Sequence, residues 1–218
     1  MKVRFVSKGS MSAFNDDMEE KADVFLFGFN GADEVSYERE LKGESTFFEK
    51  VALLSKAHQG VVVCGCVTDT RGHKRKSAVV AENGRLLGVA DMVHVIDGEW
   101  GSGANLSVYQ TKKGKMGVLV AEDLYFPEAA HALALCGSDF IVCPFGALTS
   151  ALESVYLRTY AHAYGIPIYF CAEGYSMLAS RGEIVYASPI SPFTVSFEQR
   201  KEYHLIETRR RGDFGVSG

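Results

Sequence analysis

The sequence predicts an α/β domain in which a mixed β-sheet carries helices on its face. Three observations predict it. Short apolar segments of strand length alternate with amphipathic helical segments, an Asn-Gly pair marks a hairpin, and several strand-like segments follow the last helix. Because a single sheet with so many strands usually splits, we expect two packed layers.

The first elements follow the β-α-β order. Val3–Val6 and Asp23–Phe29 are short apolar runs, which predicts the first two strands. Ser45–Gln59 has apolar residues along one helical face, and Thr46 and Glu49 have the spacing of a capping box. We therefore predict a helix there, capped by its own side chains.

A hairpin is predicted in the middle of the chain. The run "GVVVCGCV" reads as a buried strand, and "RGHKRKS" after it reads as the solvated end of a hairpin. Asn83-Gly84 lies between two alternating apolar segments within "KSAVVAENGRLLGVADMVHV", which is the strongest short-range hairpin signal.

The second half again alternates strands and helices. One helix is predicted from Pro127 to near Gly137, and another over Ser150–Tyr164 with Gly165 as its stop. We predict a single domain over residues 1–208, followed by a flexible tail over 209–218. The remaining predicted strands are Leu106–Gln110, Lys115–Val120, Phe140–Cys143, "IPIYFCA", "EIVYAS", "PFTVSF" and "HLIET".

Composition limits the classes of function. The 218 residues carry a net charge of −4, too mild to indicate nucleic-acid binding. No apolar run approaches the roughly 20 residues of a membrane span, and the start lacks a secretory signal, so we expect a cytoplasmic protein. Scattered histidines predict no metal site, and no cofactor is expected. Five cysteines, an odd number, are expected to be reduced and buried: Cys64, Cys66, Cys136, Cys143 and Cys171.

Several motifs resemble the nitrilase, or carbon–nitrogen hydrolase, superfamily. The most specific is "GKMGVLVAEDLYFPE", which is similar to the segment around the family's catalytic cysteine. "NGRLLGVADMVHV" and "KADVFLFGFNG" resemble the segments around its lysine and glutamate, and together the motifs cover about residues 20 to 185 in family order. The positions that fit are Gly88, Val93, His94, Asp123, Leu124, Phe126, Pro127 and Glu128.

This resemblance implies a nitrilase-like four-layer α-β-β-α sandwich with two mixed sheets. It also implies a homodimer that pairs through helices Pro127–Cys136 and Ser150–Tyr164. Active members use a glutamate as base, a lysine that stabilises the developing oxyanion, and a cysteine nucleophile. The positions equivalent to these three are Phe29, Met92 and Ala121, and none of them carries the atom that the chemistry needs.

Other residues are candidates for the same pocket. Glu99 follows Met92 by seven residues, where the family often places a supporting glutamate, although an ordinary loop carboxylate is the favoured interpretation. Glu122 is next to Ala121, and Cys143 is a thiol that could act as a relocated nucleophile. Asp123 and Glu128 are interpreted as structural groups that hold the turn and the helix after it.

Three functional hypotheses remain open at this point. The favoured one is a non-catalytic homologue that binds a small amide or carboxylate ligand, or acts as a regulatory or subunit protein. The second is an active amide or nitrile hydrolase in which Glu99 or Glu122 is the base, with water or Cys143 as nucleophile. The third is a purely structural protein with a closed pocket.

Overall fold

The computed structural model describes residues 1–14, 21–29, 34–148 and 150–198. Within them the chain forms a seven-stranded sheet A and a six-stranded sheet B. Sheet A contains β1 (Lys2–Val6), β2 (Val24–Phe27), β3 (Glu34–Ser36), β4 (Val61–Thr70), β5 (His73–Glu82), β6 (Arg85–Asp91) and β13 (Phe193–Ser196). Sheet B contains β7 (Ser107–Thr111), β8 (Gly114–Val118), β9 (Phe140–Ala147), β10 (Ile168–Glu173), β11 (Tyr175–Ser180) and β12 (Glu183–Ser188). The helices are α1 (Tyr37–Leu41), α2 (Phe47–His58), α3 (Pro127–Leu135) and α4 (Leu152–Tyr164).

Both sheets are mixed. Sheet A has the order β13-β1-β2-β4-β5-β6, with β3 paired to β4, and sheet B has the order β12-β11-β10-β9-β8-β7. The inner pairs β1–β2, β2–β4, β8–β9 and β9–β10 are parallel, and hairpins extend each sheet with antiparallel strands. The carboxyl ends of β2 and β8, two of the inner strands, therefore carry the loops in which ligands of α/β folds usually lie.

The two sheets pack face to face, and helices cover their outer faces. Alternation along β4 shows this arrangement, since Val61 and Val63 lie in the cluster between the sheets while Val62 and Cys64 pack with α2. The outer face of sheet B packs against α3 and α4. This confirms the predicted four-layer α-β-β-α sandwich. Cys66 lies with Cys64 on the helix side, because alternate residues of a strand share one face.

Local turn chemistry explains the elements that were predicted well. Asn83 and Gly84 both have positive φ angles, 49° and 86°, and they join β5 to β6. Gly165 ends α4 with a φ of 63°, and α3 begins at Pro127. The sequence interpretation missed β3, α1 and β11. The predicted strand "HLIET", the domain boundary at residue 208 and the tail over 209–218 lie outside the described residues.

The predicted capping box of α2 is wrong. Thr46 makes no side-chain capping bond, and the carboxylate of Glu40 takes that place. Its Oε1 accepts a hydrogen bond from the Phe47 N–H at 2.9 Å, and its Oε2 accepts one from the Phe48 N–H at 3.3 Å. Local spacing could not reveal this cap, because Glu40 belongs to the preceding short helix.

Replacing Glu40 with alanine should lower the free energy of unfolding by about 1 kcal/mol, because two N–H groups at the start of α2 lose their acceptor. Urea titration followed by circular dichroism measures this change. Glu49→Ala is the matched control, and it should change stability little because Glu49 is exposed. A larger loss from Glu49→Ala than from Glu40→Ala would contradict the observed cap.

Two further expectations concerned the burial of the cysteines and the absence of a membrane-spanning segment. All five cysteines are free, and four are buried, but Cys136 is exposed at the end of α3, so the expectation of five buried thiols was wrong. Cys136 is the residue that directly follows α3. Over the described ranges, no helix combines the length and the apolar character that crossing a membrane requires.

Candidate functional site

The three positions predicted to be equivalent to the triad each lie just past the end of a strand. Phe29 lies two residues past β2, Met92 directly follows β6, and Ala121 follows β8 by three residues. All three belong to, or pack against, the same apolar cluster between the sheets. Met92 and Ala121 are each 1% exposed, and Phe29 is half-buried. These positions therefore place a ring, a thioether and a methyl group in or against the apolar cluster between the sheets.

Phe29 is held tightly in its place. Its N–H donates a hydrogen bond to the Phe145 carbonyl at 3.0 Å, which ties the end of β2 to sheet B. Its ring lies on Gly65 of β4, and a Cβ at Gly65 would come within 2.8 Å of the ring atom Cδ2. A side chain at Gly65 would therefore displace the phenyl ring. Because glycine has no side chain, β4 leaves room for the ring at this point.

Ala121 has an unusual backbone conformation. It begins the 3₁₀ turn Ala121–Tyr125 with a φ of 49°, in the left-handed region that residues with a Cβ rarely adopt. Such conformations persist only where the surrounding structure imposes them, and they concentrate at functional sites. The sharp strand-to-helix turn is thus kept at a residue that presents only a methyl group.

Asp123 fastens this turn to the end of β6. It is fully buried and accepts hydrogen bonds from the Val93 N–H at 3.1 Å and the His94 N–H at 2.8 Å. The ring atom His94 Nδ1 lies 2.8 Å from Asp123 Oδ1. Burial raises the pKa of Asp123, while the N–H donors act in the opposite direction. Asp123 thus joins the turn to the segment that follows Met92.

His94 extends the same junction toward α3. Its ring stacks on Phe126, with centroids 4.4 Å apart and planes 14° from parallel. Its Nε2 lies 3.8 Å from Glu128 Oε1 at the start of α3. These contacts agree with the structural interpretation of Asp123 and Glu128, although Asp123 holds the β6 end and caps no helix.

A lysine that is distant in sequence lies beside the site. Lys76 on β5 accepts a hydrogen bond at its carbonyl from the Met92 N–H at 2.8 Å. Its Nζ forms an ion pair with Glu122, the residue after Ala121, and lies 5.2 Å from the centre of the Trp100 ring. The sequence interpretation passed over Lys76 because it is 16 residues before Met92. The hairpin pairing of Ser77 with Asp91 was the signal that could have placed it there.

The Gly-rich segment after Met92 carries Trp100 to this position. The Gly101 N–H donates to the Lys74 carbonyl at 2.8 Å, and the Gly103 N–H donates to the Met92 carbonyl at 2.7 Å. A Cβ at Gly103 would lie 2.7 Å from the Cβ of Asp91, so the close approach requires glycine there. These hydrogen bonds and the close approach at Gly103 hold the segment against β5 and the end of β6.

The other candidate residues lie in different surroundings. Glu122 is half-buried at the site, whereas Glu99 is exposed, with its N–H 3.4 Å from Asp97 Oδ1. Cys143 is buried on the helix side of sheet B, and burial raises the pKa of its thiol well above the ordinary value. Cys171 lies in the cluster between the sheets, where burial raises its pKa to about 12. Across the described part of the chain, no three His, Cys, Asp or Glu side chains gather as metal ligands would.

Comparison with known proteins agrees with this architecture. A family model described as carbon-nitrogen hydrolase matches residues 22–200. The chain is 30% identical over 112 residues to a probable nitrilase of Schizosaccharomyces pombe, an alignment that covers 47% of this chain and 40% of that protein. It is 34% identical over 80 residues to an N-carbamoylputrescine amidase of Solanum tuberosum, covering 33% of this chain and 27% of that protein. These alignments therefore span less than half the length of either relative.

The fold comparison extends over nearly the whole chain. The crystal structure of an amidase from Nesterenkonia sp. superposes with a TM-score of 0.74 at 16% identity, covering 96% of this chain and 93% of that one. At this level of identity the likeness concerns the fold alone. The superposition supports the arrangement of two sheets between outer helices, and the family model assigns residues 22–200 to one family.

Proposed function

The chain belongs to the carbon–nitrogen hydrolase family, and from that premise we propose that it is a non-catalytic member that binds a small molecule in a regulatory or subunit role. One observation carries the proposal: Phe29, Met92 and Ala121, the positions predicted for the family's glutamate, lysine and cysteine, belong to, or pack against, the apolar cluster between the sheets. Acyl transfer by the family's route needs a carboxylate, an ammonium and a thiolate, and these three residues supply none of them.

The replacement of all three positions supports loss of catalysis. Removing one member of a buried charged cluster leaves its partners unpaired, at a cost of about 3–5 kcal/mol. Replacing the whole cluster with packed apolar groups is often neutral or stabilising. Phe29 fills space beside Gly65, and the flexible Met92 suits an irregular gap. The three apolar residues can thus pack together in the core without leaving an unpaired charge.

The surroundings of the remaining groups argue against a relocated hydrolase. A nucleophilic cysteine must ionise, and burial raises the pKa of both Cys143 and Cys171. Glu99 is exposed, so solvent competes with a bound substrate for its carboxylate. Glu122 is held in an ion pair with Lys76.

Purified protein should release no ammonia from a panel of short amides, nitriles and N-carbamoyl compounds, N-carbamoylputrescine included. Intact-mass spectra taken after incubation should show no acyl adduct on any of the five cysteines. A parallel purification from cells without the gene supplies the blank, and an active amidase supplies the positive control. Turnover above the blank, or one stable adduct, would overturn the proposal.

We also propose a homodimer that pairs through α3 and α4. Its support is the large apolar side chains that these helices expose, with Leu135 55%, Leu152 57% and Val155 53% exposed. Val155→Arg should convert the dimer to a monomer, because a charge at the centre of such a face is costly to bury. Multi-angle light scattering at micromolar concentration measures this, with Leu53→Arg on the exposed face of α2 as the control. A monomeric wild type would contradict the proposal.

A further inference from the structure

A cleft of about 570 Å³ lies between α4 and the turn that joins β11 to β12. One wall is a face of α4 that includes Arg158, Thr159 and His162, and the other is the turn itself, Arg181–Glu183. Since α4 covers the outer face of sheet B, the cleft lies on the outside of the sandwich. It is therefore separate from the cluster between the sheets, where the triad-equivalent positions are predicted.

The turn is fastened to α4, which gives the cleft a defined shape. Arg181 and Gly182 have φ angles of 56° and 85°, the pattern of a tight two-residue hairpin turn. A Cβ at Gly182 would lie 3.2 Å from the Cβ of His162, so glycine lets the turn approach the helix closely. Arg158 Nε donates a hydrogen bond to the Gly182 carbonyl at 2.8 Å. The two walls are thus tied together at their point of contact.

The same hydrogen bond orients the guanidinium of Arg158 for an anion. Only its Nε is used by Gly182, and its two Nη groups make no hydrogen bond or ion pair with any residue that the structure describes. The Nη groups of a guanidinium form a planar fork whose N–H donors match the two oxygens of a carboxylate. Because the Nε contact already restrains the side chain, less conformational entropy is lost when a ligand binds.

A carboxylate of opposite charge lines the same cleft. Glu183 is exposed at the start of β12, and within the described ranges its carboxylate pairs neither with Arg158 nor with another side chain. A ligand with a single negative charge would be attracted by Arg158 and repelled by Glu183. A single cation would meet the reverse, and Arg181 adds a further positive charge against it. A molecule that carries both charges complements the separated pair.

We propose that this cleft binds a small zwitterion of the amino-acid class. The carboxylate of the ligand accepts hydrogen bonds from the Nη groups of Arg158, and its ammonium donates to the carboxylate of Glu183. The inference goes beyond the proposed function, because it places a ligand outside the predicted triad region and involves no bond cleavage. Val155 lines the cleft and also belongs to the helix face proposed for the homodimer, so a ligand bound here adjoins that face.

Nuclear magnetic resonance titration of the ¹⁵N-labelled full chain tests the site. The probes are glycine, β-alanine and γ-aminobutyrate, in which the ammonium and the carboxylate lie progressively further apart. At least one of them should shift the backbone amide signals of Arg158 and Gly182 in a saturable way. Propionate should bind about tenfold more weakly than that probe, and propylammonium more weakly still. No saturable shift at these amides with any zwitterion, or equal binding of propionate, would overturn the proposal.

Two charge substitutions assign the contacts. Glu183→Gln should weaken binding of the best zwitterion about tenfold without weakening that of propionate, because only the ammonium loses its partner. Arg158→Gln should weaken both ligands. Glu173→Gln is the matched control, because Glu173 is exposed on β10 and does not line the cleft. Zwitterion binding that is unchanged in Glu183→Gln would contradict the proposal, and this variant disturbs no hydrogen bond of the hairpin turn if Arg158→Gln folds poorly.

Discussion

Replacing Asp123 with alanine is expected to lower the free energy of unfolding by about 3–5 kcal/mol. The carboxylate is fully buried and accepts hydrogen bonds from the N–H groups of Val93 and His94, while His94 Nδ1 lies 2.8 Å away. Alanine would leave these donors without an acceptor and open a cavity between the turn and the β6 end. Since a domain is stable by about 5–15 kcal/mol, this is a large part of the total.

Urea unfolding followed by circular dichroism and by Trp100 fluorescence measures the effect. Asp123→Asn keeps the shape and one acceptor oxygen, so it should recover at least half of the loss. Glu128→Ala is the matched control, because its carboxylate is 65% exposed and lies 3.8 Å from the other nitrogen of the His94 ring. We expect Glu128→Ala to change stability by less than about 1 kcal/mol. Equal losses from the two alanine variants would show that Asp123 does not secure the turn.

The sequence predicted best what short-range chemistry determines. The hairpin at Asn83 and Gly84 requires positive φ angles that these residues adopt readily, and the pattern alone placed it. The end of α4 at Gly165 and the start of α3 at Pro127 follow the same logic. The four-layer arrangement needed the family resemblance in addition, because alternation along a strand cannot say which sheet a strand joins.

The features that were missed depend on contacts between distant residues. The cap of α2 comes from Glu40, and no spacing rule within the helix could select it. Strand β3 is only three residues long and is defined by its pairing with β4. Lys76 lies beside Met92 only because the β5–β6 hairpin places their backbones together. In each case the tertiary pairing, which a pattern along one segment does not contain, decides the outcome.

The candidate site residues also differ in how they were predicted. The positions Phe29, Met92 and Ala121 were assigned from motifs; all three belong to, or pack against, the apolar cluster between the sheets, and their equivalence to the triad stays a prediction. Glu99 was chosen by its spacing from Met92 and Cys143 as an available thiol, and the structure places Glu99 at the surface and Cys143 on the helix side of sheet B. Ala121 keeps its positive φ because the residues on either side of it are held in place. Asp123 holds one side through its hydrogen bond from the His94 N–H, and the end of β8 holds the other.

A double-mutant cycle tests whether Phe29 and Met92 face each other across the site. Met92→Lys should cost about 3–5 kcal/mol, because an ammonium would enter an apolar cluster where the present side chain is 1% exposed. Phe29→Glu alone should also destabilise, by removing the ring that packs on Gly65. If the two positions meet, the combined variant should recover at least about 1 kcal/mol relative to the sum of the single losses. Chemical denaturation of the four proteins measures this coupling.

Met92→Leu is the control for packing, and it should cost less than about 1.5 kcal/mol because the volume is kept. Adding Ala121→Cys to the coupled pair, in a Cys136→Ser background, then tests the third position. The new thiol should react with iodoacetamide at least tenfold faster than in a variant with Ala121→Cys alone, because a neighbouring ammonium lowers a thiol pKa. Additive stability losses together with unchanged thiol reactivity would mean that the three residues do not share one site, and the case for an inherited and inactivated triad would fail with them.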